Sequence, residues 1–363
     1  MRKKLRLSEI VVVAVGLIGP VNALTLQIDY SYDAGTDNFF GTHPVAKAAL
    51  EAAAARVSSI ITSTPGAISA NYFEGTSGPE SVAFDLDITF QNPSTGFEVR
   101  LQEPTVATGV IPIHVGVREL QDGTLAEGAP TTTSLNVYAL GSNPTRLQTA
   151  TTQAAADAQA HWQRGSGPVI SKLEGPLTIG SATVNFSSTI GSHGGQLWFD
   201  VDINDDFAPD PESALNAFWH FDHTTAPDPN KFDFYTIALH EMLHTVGLGA
   251  SQSWNDRLIV GGTTEWLGPN AQALNGGSGL GLVELDEKHI SSSLLSPRVS
   301  DGVPQQPLMS ALLQLGQRRD ITEMDVAFLR DIGWETSLAP VPEPGTLFLL
   351  GAALTMAGVR RRK

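Results

Sequence analysis

The chain has 363 residues, enough for one large domain or two, and carries 22 Lys+Arg against 38 Asp+Glu, a net charge of −16. That acidity argues against a nucleic-acid partner, which requires a basic stripe. A hydrophobic content of 41% excludes a disordered chain, and the absence of cysteine excludes disulfides, thiolate catalysis and sulfur-ligated metal.

The first residues are basic (Arg2, Lys3, Lys4, Arg6), followed by an apolar run over 10–19 and small residues up to Ala23. This order predicts a secretory signal peptide over 1–23, removed by signal peptidase. Alternation predicts a strand at 24–32, and Ala-rich three-and-four spacing predicts a helix at 44–61. Strands are expected at 81–90 and 110–117, with Pro112 demoting the start of the second to an edge or bulge. A helix over 145–162, strands over 177–186 and 196–204, and a helix over 232–246 follow. After a Gly-rich, loop-rich stretch comes a last helix over 321–332, with Thr322 and Asp325 placed for a capping box. The pattern predicts an α+β domain over 24–340 with a smaller irregular lobe.

The C-terminus reads Val341-Pro342-Glu343-Pro344, an apolar stretch over 346–359, then Arg360-Arg361-Arg362-Lys363. Fourteen apolar residues are short for a stable span, and basic residues behind them stay on the cytoplasmic side. Residues 341–363 resemble the PEP-CTERM protein-sorting tail of Gram-negative bacteria. The resemblance implies export through the inner membrane and transient anchoring by a short transmembrane segment. An exosortase-type enzyme would then cut the tail and release the body to the cell surface or extracellular matrix. Each end carries four basic residues and one acidic one, which leaves the body 14 basic and 36 acidic residues, a net of −22.

Residues 240–244 read His-Glu-Met-Leu-His. Positions i and i+4 share a helix face, so His240 and His244 can present two imidazoles to one metal, with Glu241 beside it to take a proton from water. Phe232, Tyr235, Ile237 and Leu239 make the helix apolar around its circumference and therefore buried. Buried ionisable groups need a partner that offsets their desolvation, which Zn²⁺ supplies; core histidines bonded to carbonyls are the bland alternative.

The run His240-Glu241-x-x-His244-x-x-Gly247 resembles the metzincin zinc proteases, whose pattern continues to a third histidine and a Met-turn. The match fails at the third-ligand position, which is Ala250. A leishmanolysin-like variant of that family inserts a segment before a more distant histidine. His289 is the only histidine after His244, and Pro307-Leu308-Met309-Ser310 looks like the Met-turn. The resemblance implies His289 as third ligand and Met309 beneath the metal. Asp256 is the alternative ligand, since zinc also takes carboxylate oxygen. It further implies a twisted mixed sheet packed with helices, a zinc helix in a cleft, and an irregular C-terminal lobe ending in a helix.

In such proteases the strand before the zinc helix forms the cleft rim, to which an extended peptide adds. That expectation places Trp198 and Asp200 on the substrate edge strand. Asp200, Asp202 and Asn204 begin like a calcium loop, but Asp205 and Pro211 stand where the loop needs Gly and Glu. Calcium there is the alternative to a solvated acidic face. His220 and His223 make a weaker second pair, and no serine-hydrolase or nucleotide-binding motif is present. The expectation is an exported zinc endopeptidase acting on protein or peptide substrates. The alternative is a non-catalytic extracellular matrix or surface protein with a degenerate zinc site.

Overall fold

The computed structural model describes residues 24–33, 38–259, 264–282, 287–291, 293–311 and 313–337. The expected signal peptide and sorting tail lie outside the described residues. Among those described, no helix is long and apolar enough to cross a membrane.

The chain opens with β1 (Thr25–Asp29), α1 (Phe39–Thr42) and α2 (Pro44–Ile60). A run of strands follows: β2 (Tyr72–Ser77), β3 (Glu80–Gln91), β4 (Glu98–Leu101), β5 (Val110–Arg118), β6 (Ala126–Pro130) and β7 (Thr132–Leu140). Helix α3 (Pro144–Trp162) leads into β8 (Ser171–Glu174), β9 (Leu177–Ile179), β10 (Ala182–Val184), β11 (Ser187–Ile190) and β12 (Gly195–Asp200). Beyond lie α4 (Glu212–Phe218), α5 (Phe234–Thr245), α6 (Gln252–Asn255), α7 (Pro269–Leu274) and α8 (Glu323–Ile332), joined by loops and two-residue strand pairs. The fold is mixed α and β with several sheets.

The sheet that positions the histidines has the order β1-β5-β12-β6. β1, β5 and β12 are parallel, and β6 runs antiparallel at one end. Every residue of β12 is buried, as expected of a strand with neighbours on both sides and packing on both faces. Against this sheet lie α2 and α5, packed on each other. Ala46, Ala49, Ala53 and Ala54 on α2 are small enough to let the two helices approach closely, and all are buried. In the second sheet β3 is central, with β2 and β4 along one side and β7 along the other; α3 covers it. Each sheet has its own apolar cluster, one around α5 and α8, the other around α3 and β3.

Several elements depart from expectation for identifiable reasons. Residues 177–186 form a hairpin rather than one strand, because Gly180 at φ 60° turns the chain between β9 and β10. Pro112 lies opposite Gln27 of β1, while pairing with β12 starts only at Ile113, so a missing N–H costs that side nothing. The helix expected from 232 starts at Phe234, because the Asp233 side chain accepts the Thr236 amide and caps it. Strand β12 ends at Asp200, where carboxylates begin to take up loop amides. The capping box at Thr322 and Asp325 forms as expected.

Candidate metal centre

Helix α5 is buried along its whole length except at Tyr235. Its entry is fixed by Asp233, which accepts the Thr236 amide at 3.2 Å and hydroxyl at 2.6 Å. The same carboxylate receives both Nε and Nη2 of Arg318, at 3.0 and 2.7 Å. The helix ends where expected: Gly247 adopts φ 108°, a conformation that side chains resist. Gly249, at φ 69°, passes so close to the site that a Cβ there would lie 2.9 Å from the Lys288 carbonyl and 3.0 Å from the His244 ring.

Two turns of chain bring the histidines together. His240 Nε2 lies 3.2 Å from His244 Nε2 and 3.0 Å from His289 Nε2, and the third edge is 3.1 Å. The second ring nitrogen explains how two of them, His240 and His244, are turned. His240 Nδ1 meets the Leu308 carbonyl, and His244 Nδ1 meets the Leu248 carbonyl at 2.7 Å. A carbonyl only accepts, so both Nδ1 atoms carry the proton and both Nε2 atoms present a lone pair. Two lone pairs converging at this spacing call for a donor or a cation among them, and His289 Nε2 completes a three-nitrogen face toward that point. Tetrahedral zinc, with Zn–N of about 2.0–2.1 Å, separates its nitrogens by about 3.3–3.4 Å, so the three residues fit that ion. Burial, then the neighbouring His289, pushes His240 down to about 3, and burial holds His244 well below its ordinary value. Both are therefore in the neutral, ligating form near pH 7.

His289 is reached by a 45-residue excursion from His244. Its loop is pinned on both sides: Trp254 Nε1 donates to the Glu287 carbonyl at 2.9 Å, and the Ile290 amide donates to Met309 O at 2.9 Å. Met309 is fully buried, and its turn is held from below by Asp325, whose two oxygens accept the Leu308 and Met309 amides. One turn thus orients His240 through Leu308 and steadies the His289 loop through Met309.

Glu241 is 7% exposed, with Oε1 3.9 Å from His240 Nε2. Burial, then the nearby charge of Glu127, pushes its carboxyl well up, while the Gly128 amide of β6 lies close enough to pull the other way. Gly128 is required by the approach: a Cβ there would lie 2.4 Å from the Glu241 carbonyl oxygen. The histidines open to the outside through two cavities, of about 480 and 310 Å³, both bordered by β6, Glu241 and His289.

Three expectations are corrected. Asp256 is turned away, exposed and paired with Lys172 at 3.5 Å, so it is not a ligand. Trp198 and Asp200 are not on an edge strand, because β12 is flanked by β5 and β6. The edge is β6, although Trp198 borders the smaller cavity and Asp200 the larger. The acidic loop spends its carboxylates on its own backbone: Asp202 accepts the Asp206 and Phe207 amides, and Asp210 accepts that of Ile203. Among the described residues the group able to hold a metal is His240, His244 and His289. His220 bonds the Asp222 carbonyl and Thr225, and does not converge with His223 on a shared ligand. Gly128, Asp325 and the Leu248 and Leu308 carbonyls were not anticipated in these roles. Only the spacing of Asp325 before an apolar run gave any signal, and it pointed to a helix cap alone.

The arrangement is a cluster of three histidines that could hold a metal ion, with a carboxyl group beside it. The chain matches a family model described as the PEP-CTERM protein-sorting motif over residues 340–363. That motif marks proteins of Gram-negative bacteria that are exported and anchored transiently through the C-terminal tail, and it is the signal read by exosortase-type sorting enzymes. No curated protein and no solved structure matches the chain.

Proposed function

We propose that this is an exported zinc endopeptidase of metzincin-like architecture, with His240, His244 and His289 as ligands and Glu241 as general base. The observation that carries the reading is the convergence of three Nε2 atoms at 3.0–3.2 Å beside a buried carboxyl in an open cleft. The buried Met309 turn and the antiparallel edge strand next to the ligand helix support the same resemblance.

A bound zinc ion supplies Lewis acidity, polarising the scissile carbonyl and activating water. Glu241 takes the proton of the attacking water on its carboxylate and delivers it to the departing amine. The Gly128 amide steadies that carboxylate. Strand β6 offers its outer edge to an extended peptide, whose backbone pairs with it as an added strand.

The test joins metal content with casein cleavage. The reading expects one zinc per chain in both wild type and Glu241→Ala, with cleavage reduced by about 10²–10⁴-fold in the variant. A chain without stoichiometric zinc would favour the alternative, a matrix or surface protein whose site is degenerate.

A further inference from the structure

The larger cavity beside the histidines has a chemistry that proton transfer does not use. Its walls are apolar: Phe218 and Phe232, with ring centroids 5.1 Å apart, Ile237 of α5, and Leu313 beyond the Met309 turn. Asp200, at the end of β12, and Asp205, in the loop after it, border the same space. Asp200 is only 5% exposed. The Leu120 and Asp202 amides, each at 2.9 Å, both bond its Oδ1, and among the described residues no donor bonds Oδ2. Among the described residues no Lys or Arg borders the cavity. Oδ2 is not sealed off, so a donor entering the cavity can reach it. Burial, and then the like charges of Asp202 and Asp205, push the Asp200 carboxyl above its ordinary value, and the Leu120 and Asp202 amides offset only part of that rise, so a cationic partner favours its ionised form.

A guest that satisfies both features has an aliphatic stem and a cationic tip. The stem lies along the phenyl and isoleucine walls, and the tip donates to Asp200 in a charge-assisted bond. We infer that this cavity is a specificity pocket for a Lys or Arg side chain, which makes basic polypeptides the substrate class. The inference rests on the peptidase reading, because it takes β6 as the strand beside which the peptide lies. A body with a net charge of −22 favours encounter with such chains.

Binding can be measured apart from cleavage, using Glu241→Gln protein and fluorescent ten-residue peptides that differ only in one central Lys, Leu or Glu. The Lys peptide is expected to bind about tenfold tighter than the Glu peptide. Asp200→Asn keeps an oxygen for the two amides but removes the charge; it should cost the Lys peptide about tenfold and leave the Leu peptide unchanged. Asp205→Asn, at an exposed position, should give a smaller loss in the same direction and keeps the test decisive if Asp200→Asn fails to fold. Glu174→Gln, the same charge change on exposed β8, separates the pocket from the general acidity and should change nothing. Equal affinity for the three peptides, or a loss with Glu174→Gln as large as with Asp200→Asn, would overturn the pocket. Lys-selective binding that depends on Asp200, in a wild-type protein that cleaves none of the peptides, would instead overturn the peptidase reading and leave the basic-ligand pocket standing.

Discussion

Which nitrogen of a histidine carries its proton is decided by the group opposite the other nitrogen, and this chain uses that rule for two different ends. At His240 and His244, carbonyls fix the proton on Nδ1 and leave Nε2 open. At His193 the proton also sits on Nδ1, which donates to Gly191 O at 2.9 Å, but Nε2 is closed off within the core, where it accepts from the Thr133 hydroxyl at 3.3 Å. Burial, as the largest effect, holds His193 below its ordinary value. The unfolded chain therefore takes up a proton as pH falls below about 6.5 while the folded chain does not, so this contribution to stability is present above that pH and lost below it. His193→Leu lacks the effect. The stability difference between wild type and His193→Leu, read from denaturant midpoints, should shift in favour of the variant between pH 7 and pH 5; a constant difference would contradict this. The His-Glu-x-x-His spacing was legible in the sequence because helix geometry alone puts i and i+4 on one face. The proposed third ligand, His289, was legible only as a resemblance, since no local periodicity spans 45 residues. Asp256 looked eligible by chemistry, and only its pairing with Lys172 removes it.

At the level of elements, the long helices could be read and the decisive strand could not. In α2 the small and apolar positions recur three and four apart, α5 is an unbroken apolar run marked by the His-Glu-x-x-His spacing, and Gly247 marks its stop. Strand β6 has five residues, two of them Gly128 and Pro130, and only Pro130 is buried. Gly and Pro ordinarily argue against a strand, so the one edge beside the ligand helix was invisible. The reason for Gly128 lies in tertiary contact with Glu241. Gly128→Val should therefore cut peptidase activity at least tenfold and lower the melting temperature; wild-type values for both would mean that β6 is not held against α5 as described. Asp325 joins two elements, capping α8 and suspending the Leu308–Met309 turn. Asp325→Ala should cost about 3 kcal/mol of stability, from the lost cap and two stranded amides. It should also weaken zinc affinity by about 10–100-fold, because Leu308 orients His240. Calorimetric melting and competition with a chromogenic chelator measure the two separately, and unchanged zinc affinity would break the proposed link between the turn and the metal.

Over the whole molecule, the proposed metal centre is a meeting point of segments far apart in sequence. Helix α5, the loop at His289 and the turn at Met309 converge there, while α8 closes the interior beneath them. A ligand that binds only the folded chain stabilises it, by about 4 kcal/mol at a thousand times its dissociation constant. Chelation should thus lower the melting temperature by about 5 °C or more, reversibly on adding zinc back. An unchanged melting curve would mean that no metal ties these segments. The acidic body and the sorting tail were readable from composition and short motifs. The second sheet with α3 was only partly so: β3 alternates, but β2, β4 and β7 are recognisable mainly through their pairing with it. The most direct test of the central claim is metal stoichiometry, measured by mass spectrometry on wild type, His289→Ala and Asp256→Ala proteins. One zinc per chain in wild type and Asp256→Ala, with loss in a folded His289→Ala, is the predicted result. A folded His289→Ala protein that keeps its full complement, or a wild type that binds none, would contradict it.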